Sequence, residues 1–219
     1  MNYYSAEAMK QAGCYLIGCN QLFEKIPFLD YLVFQDSNVI PHCLKWPGPK
    51  LMCNRKVRHR EFHQYMDYKS LIFYTNGRYR EKNHGNTMES SNSGCLAFQL
   101  AHLLGFKTII LVGCDCEFID EKDDGDYRSN IFKDKQVIRT IQRERRRKNN
   151  KKHLDQVTVN GKIKFTNNIL LKFAHKFEEL YRRFKYDTNI FKMGEWGILN
   201  VPSVDFVEFY SDDHPTKHG

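Results

Sequence analysis

The stretch from 92 to 117, NSGCLAFQLAHLLGFKTIILVGCDCE, constrains the fold of this chain more than any other. It reads as a polar turn and helix start, an amphipathic helix, a tight turn, and a buried strand that ends in Gly113-Cys114-Asp115. Leu96, Leu100, Leu103 and Leu104 recur at helical spacing, and Ala97 and Ala101 keep the same side narrow enough to lie close on a sheet. Gly105 follows the last apolar turn and suits the left-handed conformation that ends a helix. Residues 108–112 form a β-branched apolar run without alternation. That pattern predicts a strand buried on both faces, as in a parallel sheet.

In an open parallel sheet, ligands bind beyond the carboxyl ends of the strands, where loops lead into helix N-termini. Two such places are marked here. Asn92, Ser93 and Gly94 open the helix, where N–H groups and the helix dipole favour an anion such as phosphate. Gly113 and Asp115 follow the strand. The plainer alternatives are that Asn92 or Ser93 serves only as an N-cap, and that Asp115 caps whatever follows.

At 219 residues and 41% hydrophobic content, the chain has enough apolar surface for one domain with a full core. No run of about 18 apolar residues is present, which argues against a membrane span. The N-terminal MNYYSAEAMKQAG lacks the basic start and apolar centre of a signal peptide. Seven cysteines in apolar or turn settings suit reduced thiols and a cytoplasmic location. The net charge of +8 is concentrated in residues 139–152, which hold eight basic residues and one acidic one, so the remainder is nearly neutral. Such a run reads first as a solvated face or loop. A nucleic-acid binder ranks last, because no stacking aromatics are interleaved with the charges.

In chain order, residues 5–13 read as a short helix with Ser5 as cap and Gly13 as stop. Residues 14–18 read as a strand that delivers Asn20 to its carboxyl end. Residues 29–34 read as a second buried strand that delivers Asp36 and Ser37 to the same edge. Shorter strands are expected at 50–52 and 70–74. Metal readings of His59, His63 and Asp67, of Cys114 and Cys116, and of Asp123, Asp124 and Asp126 lack further ligands at a familiar spacing, so no metal is expected. The polar and basic excursion at 118–155 reads as a lid or substrate loop. Beyond it lie a hairpin at 156–165 turning at Asn160-Gly161 and a helix at 166–184 capped by Thr166. That helix carries the stripe Ile169, Leu170, Phe173, Phe177, Leu180 and Tyr181. A last core strand follows at 188–192, and Trp196 reads as a packing residue. The expected class is α/β, with a single Rossmann-like three-layer domain over 1–219, a mostly parallel sheet and a lid-like insertion.

Several of these residues carry a resemblance. Gly18-Cys19-Asn20-Gln21 after the early strand, Gln35-Asp36-Ser37-Asn38 after LVF, and above all Ser93-Gly94 through Gly113-Cys114-Asp115 resemble the Rossmann-like bacterial sialyltransferases that extend lipo-oligosaccharide. They also resemble a wider group that includes motility-associated glycosyltransferase-like proteins, pterin-pyrophosphokinase-like proteins and phage proteins. The resemblance implies that Asn20, Asp36, Ser37, Ser93 and Gly94 surround a nucleotide. It implies a nucleotide-sugar donor such as a CMP-sugar, a glycan or other hydroxyl acceptor, and no separate cofactor. It also implies a lid histidine as general base and lid tyrosines that assist departure of the phosphate, for which His153 and Tyr127 are the candidates. The group normally begins with a strand and a Gly-Asn-Gly-Pro-Ser phosphate loop, a segment that does not occur in this sequence. A non-catalytic nucleotide-binding or interaction module is therefore the alternative, and oligomerisation stays open.

Overall fold

The strands pair in parallel. In the computed structural model, which describes residues 3–35, 39–53, 71–74, 92–117, 155–195 and 197–205, β1 (Ile17–Cys19), β2 (Tyr31–Phe34), β3 (Lys50–Cys53) and β4 (Leu71–Tyr74) form one sheet in that order. All three of its pairings are parallel. A second sheet pairs β5 (Thr108–Leu111) with β8 (Asn189–Met193), and β8 with β9 (Ser203–Val204), again in parallel. The antiparallel element is the hairpin of β6 (Asp155–Val159) and β7 (Lys162–Thr166). It turns through Asn160 and Gly161, both at positive φ, as the Asn-Gly pair predicts.

Alternation along β2 shows how the layers form. Leu32 and Phe34 pack into one cluster with Ala6 and Met9 of α1 (Tyr3–Gln11) and with Ile40 and Cys43 of α2 (Ile40–Cys43). Val33 points the other way and packs with Leu51, Leu96 and Ala97. Leu96 and Ala97 belong to α3 (Ser93–Leu103), which lies on β1, β2 and β5. The first sheet is thus covered on both faces, as successive residues of a strand between two helical layers require. Fully burying a side chain such as Leu96 or Phe34 contributes roughly 1.5–3 kcal/mol.

The second sheet shares a core with α3 and α4 (Asn168–Phe184). Phe98 lies 6.4 Å from Phe177 and edge-on to Phe184 at 5.7 Å, while Ile109, Leu111 and Ile190 line the sheet side. Ile17 of β1 packs against this cluster as well as against that of Leu96. β1 and β5 are edge strands of their two sheets, and α3 packs on both. That is the arrangement in which a doubly wound sheet opens a crevice at its carboxyl edge.

Several expectations are corrected. The first helix starts at Tyr3, so Ser5 lies inside it and cannot be its cap; Gly13, at φ +84, does follow its end. Leu103 and Leu104 are exposed, because the buried side of α3 runs through Cys95, Phe98 and Ala101 instead. β5 is not buried on both faces: Thr108 is exposed and Ile110 only half-buried. Thr166 does not cap α4, since Asn167 accepts from Ile169 N and Leu170 N at 2.9 Å. Ile169, expected in the α4 stripe, is exposed; the buried side is Ala174, Phe177, Leu180 and Phe184. One feature has no signal in the sequence. Lys50 opens β3 almost fully buried, donating to Gly48 O at 3.0 Å beside the Trp46 ring, and burial lowers its pKa.

Candidate functional site

β1 ends at Cys19, and the next residue, Asn20, takes φ +54. Few residues other than glycine enter this left-handed region, and asparagine does so at least cost because its short amide bonds locally. The turn directs Asn20 toward α3, where Ser93 Oγ donates to Asn20 Oδ1 at 3.1 Å. With its oxygen engaged, the Asn20 amide keeps its NH2 as a donor.

Asn92 settles into the plainer of its two expected roles. Its side chain accepts from Cys95 N at 2.7 Å and caps the helix. This capping leaves the N–H groups of Ser93 and Gly94 without hydrogen-bond partners among the described residues, at the positive end of an 11-residue helix. Gly94 has a packing reason as well. A Cβ there would sit 3.0 Å from Phe177 Cζ and 3.2 Å from Asn92 Oδ1, so glycine lets the start of α3 tuck against α4.

Beyond β5 the chain turns through Gly113 at φ +67 and Cys116 at φ +55. The loop is clamped through its backbone. Asp115 O accepts from Ile198 N at 2.9 Å, and Gly197 approaches so closely that a Cβ on it would lie 2.4 Å from that oxygen. Cys116 O accepts from the fully buried Thr166 Oγ1 at 2.9 Å, which explains why Thr166 is unavailable as a helix cap. Glu117 is held by Lys164 Nζ, 2.9 Å from Oε2 and 3.2 Å from Oε1. The shorter contact is an ion pair without hydrogen-bond alignment, so Oε2 still has no hydrogen-bond partner among the described residues.

The two loops meet through thiols. Cys95 lies near enough to raise the pKa of Cys19, Cys114 and Cys116, and Cys114 is raised by Cys19 and Cys116 as well. Burial is the larger cause for each of Cys19, Cys114 and Cys116, and it pushes Cys19 and Cys116 up to about 12. Neutral thiols at these positions pack as small hydrophobes, and thiolate ligands for a metal are disfavoured. Among the described residues, no three His, Cys, Asp or Glu side chains are grouped to hold a metal ion.

Of the expected site residues, the structure brings together Asn20 and Ser93, with Asn92 and Gly94 in the same helix start. It places Gly113 and Asp115 on the neighbouring loop. Asp36, Ser37, His153 and Tyr127 lie outside the described residues, as do His59, His63, Asp67 and Trp196. Sequence reading quotes Gln21 in its motif but gives it no role; it is buried beside Asn20, its Nε2 donates to Glu24 Oε1 at 3.0 Å, and its Oε1 has no hydrogen-bond partner among the described residues. Sequence reading missed Lys192 on β8, where Nζ donates to Leu199 O at 2.9 Å and burial lowers the pKa. Lys164 and Gly197 complete the unforeseen set, while Glu117 ends the stretch 113–117 expected at the strand end. Only the Gly-x-x-Gly spacing at Gly194 and Gly197 hinted at a close approach.

Family models and curated proteins give no match to the chain. Among solved structures, the MAf glycosyltransferase from Magnetospirillum magneticum AMB-1 is similar, with a TM-score of 0.62 over 94% of this chain at 13% identity. The matched region is 32% of that protein's chain, so this chain spans about a third of its length. At that identity the likeness is one of fold alone: α/β, with mostly parallel sheets.

Proposed function

We propose that the chain is a nucleotide-sugar-dependent glycosyltransferase whose donor nucleotide lies across the carboxyl ends of β1 and β5, against the N-terminus of α3. The observation that carries this reading is the 3.1 Å contact of Ser93 Oγ with Asn20 Oδ1. It ties a left-handed strand-end asparagine to a helix start whose first N–H groups have no partner among the described residues. A phosphate at such a helix start gains charge-assisted hydrogen bonds and a favourable dipole. Asn20 Nδ2 adds a donor of the kind that a nucleotide or sugar hydroxyl or base can use. The glycosyltransferase neighbour supports the same reading at the level of fold.

In transfer, the leaving nucleotide phosphate gains negative charge as the anomeric bond breaks. Donors already aimed at that position stabilise it without reorganisation. Sialyl transfer from a CMP-sugar is the finer form of this proposal, in keeping with the resemblance of residues 18–21 and 93–115. A thermal-shift panel of nucleotides and nucleotide sugars, CMP and CMP-sialic acid included, tests it. The reading predicts a concentration-dependent rise in Tm with one nucleotide class. A well-folded protein that responds to none of them would overturn it.

A further inference from the structure

Two carboxylates lie on the loop after β5, and the structure gives them different tasks. Glu117 is committed to Lys164 on the hairpin and anchors the loop. Asp115 is exposed, and its side chain makes no hydrogen bond or ion pair among the described residues. Its backbone is nonetheless fixed on both sides, by Ile198 N on its own carbonyl, by the glycine packed against it, and by Thr166 on the next carbonyl. A carboxylate on a rigid stem, with no side-chain hydrogen bond or ion pair among the described residues, at the carboxyl edge beside a candidate nucleotide site, has the placement of a reacting group.

We infer that Asp115 is the proton acceptor for the incoming acceptor hydroxyl. The inference rests on the nucleotide-sugar reading above and gives this carboxylate the role that the family resemblance assigned to His153. In the step, the acceptor O–H proton moves to an Asp115 carboxylate oxygen while the acceptor oxygen bonds to the anomeric carbon. The anomeric bond to the phosphate oxygen breaks, and its electron pair leaves on that oxygen, toward the start of α3. The exposed acid then returns its proton to water.

The surroundings suit the task. Burial and then the neighbouring Glu117 carboxylate raise the proton affinity of Asp115 above the ordinary carboxylate value, while Lys192 and Lys164 oppose that rise. A base whose proton affinity is raised is better matched to a hydroxyl proton than an unperturbed carboxylate. The exposure of the residue limits the effect, and the lysines keep the ionised form accessible.

The test uses the full chain with whichever nucleotide sugar raises its Tm, and follows both nucleotide affinity by calorimetry and nucleotide release by product assay. Asp115→Asn should bind nucleotide within roughly threefold of wild type and release it about 100-fold more slowly or worse, since a positioned base is worth on the order of 10²–10⁴ in rate. Added formate should restore part of the release by Asp115→Ala but not that by wild type. Release by Asp115→Asn within roughly threefold of wild type would overturn the assignment. So would slow release by Asp115→Ala that formate does not relieve. Failure of the wild type to bind any nucleotide would instead sink the parent reading, and this inference with it.

Discussion

Ser93 Oγ donates to Asn20 Oδ1 at 3.1 Å, joining a strand end to a helix start 73 residues apart in sequence. The contact requires the left-handed backbone of Asn20, which turns the amide toward α3. Backbone and side-chain contributions can therefore be separated by substitution. Asn20→Gly keeps the conformation and should lower stability by about 1 kcal/mol or less, while Asn20→Val should lose roughly 1–2 kcal/mol more. Urea unfolding of the two variants measures the difference.

Two glycines at positive φ should respond unequally to alanine. Gly113, at φ +67, has nothing within 4 Å of its added Cβ, whereas Gly197, at φ +86, would place that Cβ 2.4 Å from Asp115 O and 2.6 Å from Asp115 Cα. Gly113→Ala carries only the conformational penalty, about 1–2 kcal/mol. Gly197→Ala adds a backbone clash and should cost at least roughly 2 kcal/mol more. Equal losses in thermal or urea unfolding would contradict the close approach.

The Lys164–Glu117 pair is largely buried, with side-chain exposures of 16% and 13%, so removing one partner strands a charge. Lys164→Met should cost roughly 3 kcal/mol, and Lys164→Met with Glu117→Leu should recover much of it. A double variant no more stable than the single one would show that the pair does not hold the loop to the hairpin.

Much of this architecture is legible in the sequence, because local chemistry decides it. The Asn160-Gly161 hairpin, the start of α3 at Asn92-Ser93 and its stop at Gly105, and the apolar strands all follow from short-range rules. What escaped was decided by contacts between distant segments. Thr166 and Asn167 are both good caps by type, and the choice fell to Asn167 because Thr166 is drawn to Cys116 O, 50 residues away. Leu103 and Leu104 fit a helical stripe, yet the last turn of α3 packs through Ala101 and His102 and leaves them exposed. Within the candidate site, Asn20, Ser93 and Asp115 were readable as strand-end and helix-start polar residues. The differing tasks of Asp115 and Glu117 depend on Lys164, which no spacing rule connects to them.

Three thiols, Cys43 buried and Cys19 and Cys116 half-buried, should be inert in the native state. Cys19, Cys43 and Cys116 are pushed from 9.0 to about 12, mainly by burial. Three units correspond to roughly a thousandfold less thiolate at neutral pH than an unperturbed cysteine carries. Reaction with a disulfide reagent should therefore be slow in buffer and fast in denaturant. Rapid native-state labelling of Cys116, located by peptide mapping, would contradict the environment described here.

The raised pKa of Asp115 sets the sign of a pH effect on stability. Its folded form holds the proton more tightly than the unfolded chain, whose value is near 3.8, so ionisation of this residue opposes folding. The penalty is absent well below 3.8 and complete once pH exceeds the folded value. Asp115→Asn should thus be at least as stable as wild type at neutral pH, with the difference vanishing in strong acid. A variant less stable than wild type at neutral pH would show that the carboxylate makes a stabilising contact.

The most direct test of the central claim is a calorimetric titration of wild type, Ser93→Ala, Asn20→Ala and the double variant with the nucleotide that raises Tm. The account predicts that each single substitution weakens binding by roughly tenfold and that the double variant loses less than the product, because the two side chains act through one hydrogen bond. Affinities unchanged in all three variants would contradict it and remove the carboxyl edge of β1 and the start of α3 as the nucleotide site.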